Sequence, residues 1–322
     1  MTLPHRLDLP ASSHGAPTFA IPRFDPADRR TFLGATDCSA LFGLNPWKTA
    51  YTLWLEKAGI LAPPDLDQVE RVKWGKRLET PIALGLAEDH GWQIAAHQQV
   101  TPHPTVANMA CTPDFLIVDH PDDPGLLEIK TVDRMAFQKH WPEASPPLNY
   151  YLQLQHQLAC TGLGWGVIGV LVGGNEARVF QYERDAESIA RIEETVPAFW
   201  ASVAAGESPS PDFERDAETV HALWRKVTPG TVVETSDPRL IELCRKERKV
   251  ARWLSSKTRL EKRQRALRAE IVTLTQDAAL VLAGPYQIAS KEIPEAAVAP
   301  TVRSGYRRLT IQEKSPEPAR AA

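Results

Sequence analysis

The stretch CTPDFLIVDHPDDPGLLEIKT, residues 111–131, concentrates residue types that can do chemistry. Asp114 opens one extended run, and Glu128 and Lys130 sit two apart on the next. Side chains two apart on a strand leave the same face, whereas Leu127 and Ile129 turn to the opposite, apolar side. DHPDDPG, between the two runs, is dense in turn residues, so the runs read as an antiparallel hairpin. Such a hairpin carries two carboxylates and an ammonium to one patch of surface.

Neighbouring carboxylates repel each other and are best stabilised by a hard divalent cation. All-oxygen ligation suits Mg²⁺, with Mn²⁺ able to substitute. A cation held there lowers the pKa of a bound water and neutralises charge on a phosphate. Lys130 adds a positive charge for orienting that water or stabilising the transition state. On its own the E-x-K triplet is also an ordinary exposed strand pattern, so further residues must support it. Glu79 lies one position off an apolar helical stripe and can add a third carboxylate from the sheet edge. Gln153 and Gln155 follow in YYLQLQHQL; two residues apart on a helix, only one of them can face the site.

The elements that position these groups alternate in type. TDCSALFGL and TAYTLWLEKAGI read as helices parted by the Asn45-Pro46 turn. Residues 69–88 carry Leu78, Ile82 and Leu86 at i, i+4, i+8, with Pro81 expected to kink the helix or start a new one. WQIAAHQQV, ACTPDFLIV and LLEIKTV read as strands, NYYLQLQHQLACTG as a helix ended by Gly162. GWGVIGVLV and ARVFQYE read as two more strands, and residues 187–206 as a helix. This order predicts an α/β (α+β) fold, a central mixed sheet flanked by helices. Trp47 and Trp74 are expected to anchor the core rather than to stack on bases.

The totals narrow the class. The chain has 322 residues, 43% hydrophobic, and a net charge of −3, which excludes coating nucleic acid by bulk charge. No apolar run is long enough for a membrane helix, and the first residues lack a secretory pattern. Cys38, Cys111, Cys160 and Cys244 are scattered, as free thiols in a reducing cytoplasm would be. Residues 1–25 are expected as a flexible tail, 26–213 as the catalytic domain and 214–322 as a C-terminal extension.

Five segments in order, GATDCSALFGLNPW, WGKRLETP, CTPDF, LEIKT and YYLQLQHQLACTG, resemble the lambda-exonuclease/YqaJ viral recombinase family of PD-(D/E)XK nucleases. The resemblance spans about residues 29–205 and implies a restriction-endonuclease-like core. It implies Asp114, Glu128 and the carbonyl of Ile129 as ligands of Mg²⁺, Lys130 as catalytic lysine, Glu79 as the helix carboxylate near the metal, and Gln155 or Gln153 as the helix glutamine. Arg29 or Arg30, Thr36 and Thr112 resemble a pocket for a terminal 5′-phosphate, with Thr36 standing where the family usually has Ser. The activity implied is 5′–3′ exonuclease action on double-stranded DNA ends, leaving 3′ single strands for a single-strand annealing protein. A homotrimer, and a phage or prophage origin in a bacterial cytoplasm, follow from the same resemblance.

The alternatives are a RecB-like or CRISPR-associated nuclease, an endonuclease of the same superfamily, or a non-catalytic DNA-binding assembly module. Iron–sulfur versions need four clustered cysteines, which this sequence lacks. Beyond residue 213 the pattern changes. Asp237-Pro238 opens a helical stretch to about Leu274, with Trp253, Leu260, Leu267 and Leu274 spaced by seven, as in a coiled coil or helix hairpin. Residues 245–268 hold eleven Lys/Arg and two Glu, either a solvated face or a phosphate-tracking arm. YQIASKEI and GYRRLTIQE read as a terminal pair of strands.

Overall fold

Three consecutive stretches set the frame of the N-terminal half: an amphipathic helix, an antiparallel pair and a second helix that crosses back over the sheet. The computed structural model describes residues 24–25, 27–119, 123–141, 145–253, 259–294, 296–298, 301–303 and 306–313. The tail expected over 1–25 lies outside them up to residue 23, as does the terminal SPEPARAA. The chain divides into two units between Pro209 and Ser210, against an expected boundary at 213.

The first unit opens with α1 (Ala35–Leu41), α2 (Ala50–Lys57) and α3 (Glu70–His90). The strands β1 (Ile94–Ala96), β2 (Thr101–Pro102), β3 (Ala110–Cys111), β4 (Phe115–Ile117) and β5 (Gly125–Val132) follow. Next come α4 (Arg134–His140), α5 (Leu148–Thr161), β6 (Trp165–Val172), β7 (Glu176–Glu183) and α6 (Ala186–Ala205). The main sheet runs β1-β4-β5-β6-β7 and is mixed: β5 and β6 are parallel and the other neighbours antiparallel. A parallel pair needs a crossover, and α4 with α5 supply it.

Close glycine contacts show helices on both faces. A Cβ on Gly169 would come 2.4 Å from Leu86 of α3, and one on Gly166 would come 2.8 Å from Leu154 of α5. The α3 side is the apolar core of Ile82, Leu86, Phe115, Ile117, Leu127, Ile129 and Val167. Leu127 and Ile129 therefore face that core, and Glu128 and Lys130 face the α5 side.

Two local expectations are corrected. Of the two outcomes expected at Pro81, a new helix is ruled out, because α3 is one element with Pro81 inside. Pro81 and Arg77, whose carbonyl loses its partner, are both exposed, so water can satisfy that carbonyl. ACTPDFLIV is two strands, not one: β3 pairs with β2 and β4 with β1 and β5. Pro113 has no N–H for a ladder and marks the break. Trp47 and Trp74 are 62% and 52% exposed and anchor no core; Arg71 and Arg77 lie over their rings.

The second unit contains α7 (Ala217–Leu223), β8 (Thr228–Thr235), α8 (Pro238–Trp253) and α9 (Arg259–Thr275), then β9 (Ala278–Ala283) and β10 (Tyr286–Ile293). The short pair β11 (Ala296–Val298) and β12 (Thr301–Arg303) and the strand β13 (Tyr306–Glu313) complete it. Its sheet runs β13-β10-β9-β8, with β8 parallel to β9; the sequence reading had only the terminal pair β10 and β13. The long helical stretch is a hairpin. Arg239 bonds Glu270 on one pair of ends, and Glu247 accepts from Gln264 and Arg268 on the other, so α8 and α9 run antiparallel. Of the seven-residue seam, Leu267 is buried; the side chain of Trp253 lies outside the described residues. All four cysteines are free and buried. Among the described residues, no helix is long and apolar enough to cross a membrane.

Candidate active site

β4 and β5 place the carboxylates. Their register pairs Phe115 with Leu127 and Ile117 with Gly125, and one further step sets Asp114 against Glu128. Asp114 Oδ2 accepts the Ile129 N–H at 2.8 Å, which ties the residue after the Pro113 break back to the sheet. Glu128 is 4% exposed, and a charge so buried must be paired. Lys130 Nζ and Gln153 Nε2 both donate to its Oε1, and Gln157 Nε2 donates to Oε2 at 2.6 Å. The ammonium of Lys130 also lies 5.4 Å from the Tyr150 ring centroid.

Gln155, the other candidate, faces away. Its Nε2 donates to the Glu183 carbonyl at 2.9 Å and its Oε1 accepts from Asp185 N–H at 2.9 Å. At about 100° per residue, 153 and 155 point nearly oppositely while 153 and 157 nearly coincide. The sequence reading missed Gln157, although its i, i+4 spacing from Gln153 was the available signal. Gln157 Oε1 is buried with no hydrogen-bond donor among the described residues.

One cavity of about 430 Å³ gathers most of the expected groups. Glu79, Asp114, Glu128, Lys130, Gln153 and Gln157 line it together with Arg29, Thr36 and Thr112. Lys76 and Gln98 line it too and were not anticipated; Lys76 Nζ meets Asp67 at 2.6 Å. Gly34 lets Arg29 approach, since a Cβ there would sit 3.2 Å from the guanidinium. Of the two arginine alternatives, Arg30 does not reach this cavity. Its guanidinium bonds Asp28 at 2.7 Å.

The backbone that carries Arg29 is fastened by a buried ion network. Lys57 Nζ donates to the carbonyls of Arg29 and Phe32, each at 2.6 Å, and to Asp37 at 3.1 Å. Lys48 Nζ bridges Asp37 at 3.3 Å and Glu56 at 2.6 Å.

Electrostatics bear on what the site can hold. Burial raises the Asp114 pKa to about 8, and the neighbouring charge of Glu128 adds to the rise. Glu79 is raised by burial and then by Glu128. Burial opposes the Lys130 ammonium, yet Glu128 and Asp114 outweigh it and its pKa is raised. Two carboxylates raised by burial and by the charge of Glu128, in a site rich in oxygen acceptors of which Gln157 Oε1 is orphaned, fit a hard cation. Among the described residues, no three His, Cys, Asp or Glu side chains converge on one ion. The fit is therefore to two carboxylates with solvent around them, and not to a closed cage including Glu79.

Comparison with known proteins decides the class: residues 26–164 match the YqaJ-like viral recombinase domain. Along its length the chain is similar to the uncharacterized protein YqaJ of Bacillus subtilis (strain 168), 28% identical over 273 residues, which cover 83% of this chain and 82% of that relative. Among solved structures it is similar to the alkaline exonuclease LHK-Exo from Laribacter hongkongensis, with 23% identity and a TM-score of 0.46 over 56% of this chain and 91% of the other. A phage-related exonuclease from Haemophilus somnus 129PT gives 12% identity and a TM-score of 0.41 over 54% and 94%. The matched stretch contains Asp114, Glu128, Lys130, Gln153 and Gln157.

Proposed function

We propose that the recombinase domain is a Mg²⁺-dependent deoxyribonuclease that degrades double-stranded DNA from its ends in the 5′ to 3′ direction. The observation that carries this reading is the facing pair Asp114 and Glu128, with Lys130 on the same strand face, in one cavity with Arg29, Thr36 and Thr112. Asp114 and Glu128 would hold the cation, with the Ile129 carbonyl and waters as further oxygen ligands. When bound, Mg²⁺ or Mn²⁺ supplies Lewis acidity toward water and phosphate.

The remaining work falls to the chain's own residues. Gln153 and Gln157 hold both oxygens of Glu128 in a fixed orientation. Lys130 can exchange its bond to Glu128 for a phosphate oxygen, bringing positive charge where negative charge develops. Glu79 borders the cavity as a carboxylate whose raised pKa suits it to exchange protons with solvent. Arg29 offers a planar fork of donors that matches a terminal phosphate, and Thr36 and Thr112 add hydroxyls beside it. A group able to read a chain end gives a physical basis for exonuclease action. The 3′ strand left behind suits a single-strand annealing protein as partner in a bacterial cytoplasm, and a homotrimer remains part of the reading.

The test uses linear and closed-circular duplex DNA, each with Mg²⁺ or EDTA. Metal-dependent loss of linear DNA alone is the expected result, whereas nicking of circles overturns the exonuclease reading. Linear duplexes with 5′-phosphate should be degraded faster than those with 5′-hydroxyl; equal rates remove the phosphate pocket.

A further inference from the structure

The domain match ends at residue 164, and a strongly charged concavity lies beyond it, within the C-terminal unit. α7, α8, α9 and β13 contribute to an open cleft of about 1150 Å³. Five arginines line it, Arg225, Arg248, Arg265, Arg268 and Arg308, against three glutamates.

These arginines are not equivalent. Arg268 Nε bonds the buried Glu247 at 3.0 Å, and Arg265 meets Glu218 at 3.5 Å. Arg225 and Arg308 have no carboxylate partner among the described residues. Arg248 reaches one carbonyl, that of Ile311, at 3.4 Å, and its buried Nε lacks an acceptor. Outside the cleft, Arg245 and Lys246 meet Glu242, and Lys262 and Arg263 meet Glu214. The cleft is thus a place where guanidinium donors converge with acceptors still to be found.

We propose that this cleft binds the phosphate backbone of DNA without regard to base sequence, a second contact that rests on the reading of DNA as substrate. Its volume exceeds the roughly 300–1,000 Å³ of a small-molecule pocket, and it is open, as a passing polyanion requires. Its described lining contains no Phe, Tyr or Trp on which a base could stack, so recognition falls to phosphates. Leu309 and Ile311 are 7% and 5% exposed, which leaves little apolar anchor of the kind a peptide partner would use. Arginine forks, by contrast, need only phosphate oxygens.

The experiment measures binding of a labelled duplex to the full chain in EDTA, across a salt titration. Arg225→Ala with Arg308→Ala should lower affinity about tenfold at low salt and make the slope of log affinity against log salt shallower by about 1.8, two duplex contacts at about 0.9 each. Arg225→Lys with Arg308→Lys retains both charges and should retain the slope, which separates lost contacts from misfolding. Arg245→Ala with Lys246→Ala, a pair already engaged with Glu242, should leave the slope unchanged. A wild-type slope and affinity in the alanine pair overturns the proposal. So does a result in which that pair weakens binding of poly-glutamate but not of duplex, which would mark the cleft as a peptide site. Cleavage of linear duplex by the wild-type chain is scored in parallel. Lost cleavage with a shifted slope sinks the nuclease reading alone, whereas intact cleavage with an unshifted slope sinks the cleft alone.

Discussion

Charge is used differently in the two units of the chain. In the recombinase domain the charged groups that matter are buried and interlocked: Glu128 is 4% exposed and Lys57 6%, and each has several partners. In the C-terminal unit Arg245 and Glu242 pair with side chains 63% and 42% exposed, and Arg265 and Glu218 with 60% and 87%. A buried charge cannot fall back on water, so removing one partner strands the other at a cost of several kcal/mol. An exposed pair has water as its alternative and contributes about 0–1 kcal/mol. The lesson is that charge density along a sequence is a poor guide to importance. An exposed basic residue such as Arg245 matters less to stability than a single buried lysine.

That contrast can be broken at its strong end first. Lys57→Met leaves Asp37 with Lys48 as its remaining cation and frees the carbonyls of Arg29 and Phe32. Urea unfolding should show a loss of about 3–5 kcal/mol. A loss below about 1 kcal/mol would mean that the buried network is not structural.

Lys130→Ala should lower the cleavage rate at least about 10²–10³-fold, the usual cost of removing a charge-stabilising donor, with duplex affinity in EDTA little changed. A rate within a few-fold of wild type would remove Lys130 from the chemistry. The two glutamines sharpen the same point. Gln157→Leu frees one oxygen of Glu128 and should slow cleavage, while Gln155→Leu breaks contacts to Glu183 and Asp185 and should act on stability. The opposite pattern would move Gln155 back into the site.

Acid offers a third probe. Burial holds the His156 imidazole at about 4, and its Nε2 bonds the Ala110 carbonyl at 3.0 Å. The unfolded chain binds that proton near pH 6.5, so the contribution of His156 is complete above pH 6.5. It is lost as pH falls from there through 4, and in total amounts to about 3 kcal/mol at about 1.4 kcal/mol per pKa unit. Stability measured from pH 7.5 to 4 should fall less steeply in His156→Gln. Parallel curves would show that this histidine is not the group responsible.

The smallest effect belongs to the exposed pairs. Arg245→Ala should change stability by no more than about 0.5 kcal/mol. A loss of about 2 kcal/mol would erase the distinction between the two units.

By itself the sequence determined the types and order of the reacting groups. Strand alternation put Glu128 and Lys130 on one face and Leu127 and Ile129 on the other, because period two is a property of the local backbone. Turn and cap residues marked the Asn45 turn, and Gly162 marked the end of α5 for the same local reason. Tertiary structure decided what depends on distant partners. Whether 153 pairs with 155 or 157 rests on which arc of α5 meets Glu128, and whether Trp47 is a core residue rests on what covers it. The break at Pro113 became visible only when β3 and β4 took different neighbours. β8 lies parallel to β9 with more than forty residues between them, a pairing that no local pattern encodes. The network of Lys57 was equally hidden, since its three partners come from Arg29, Phe32 and Asp37, and only folding brings them together.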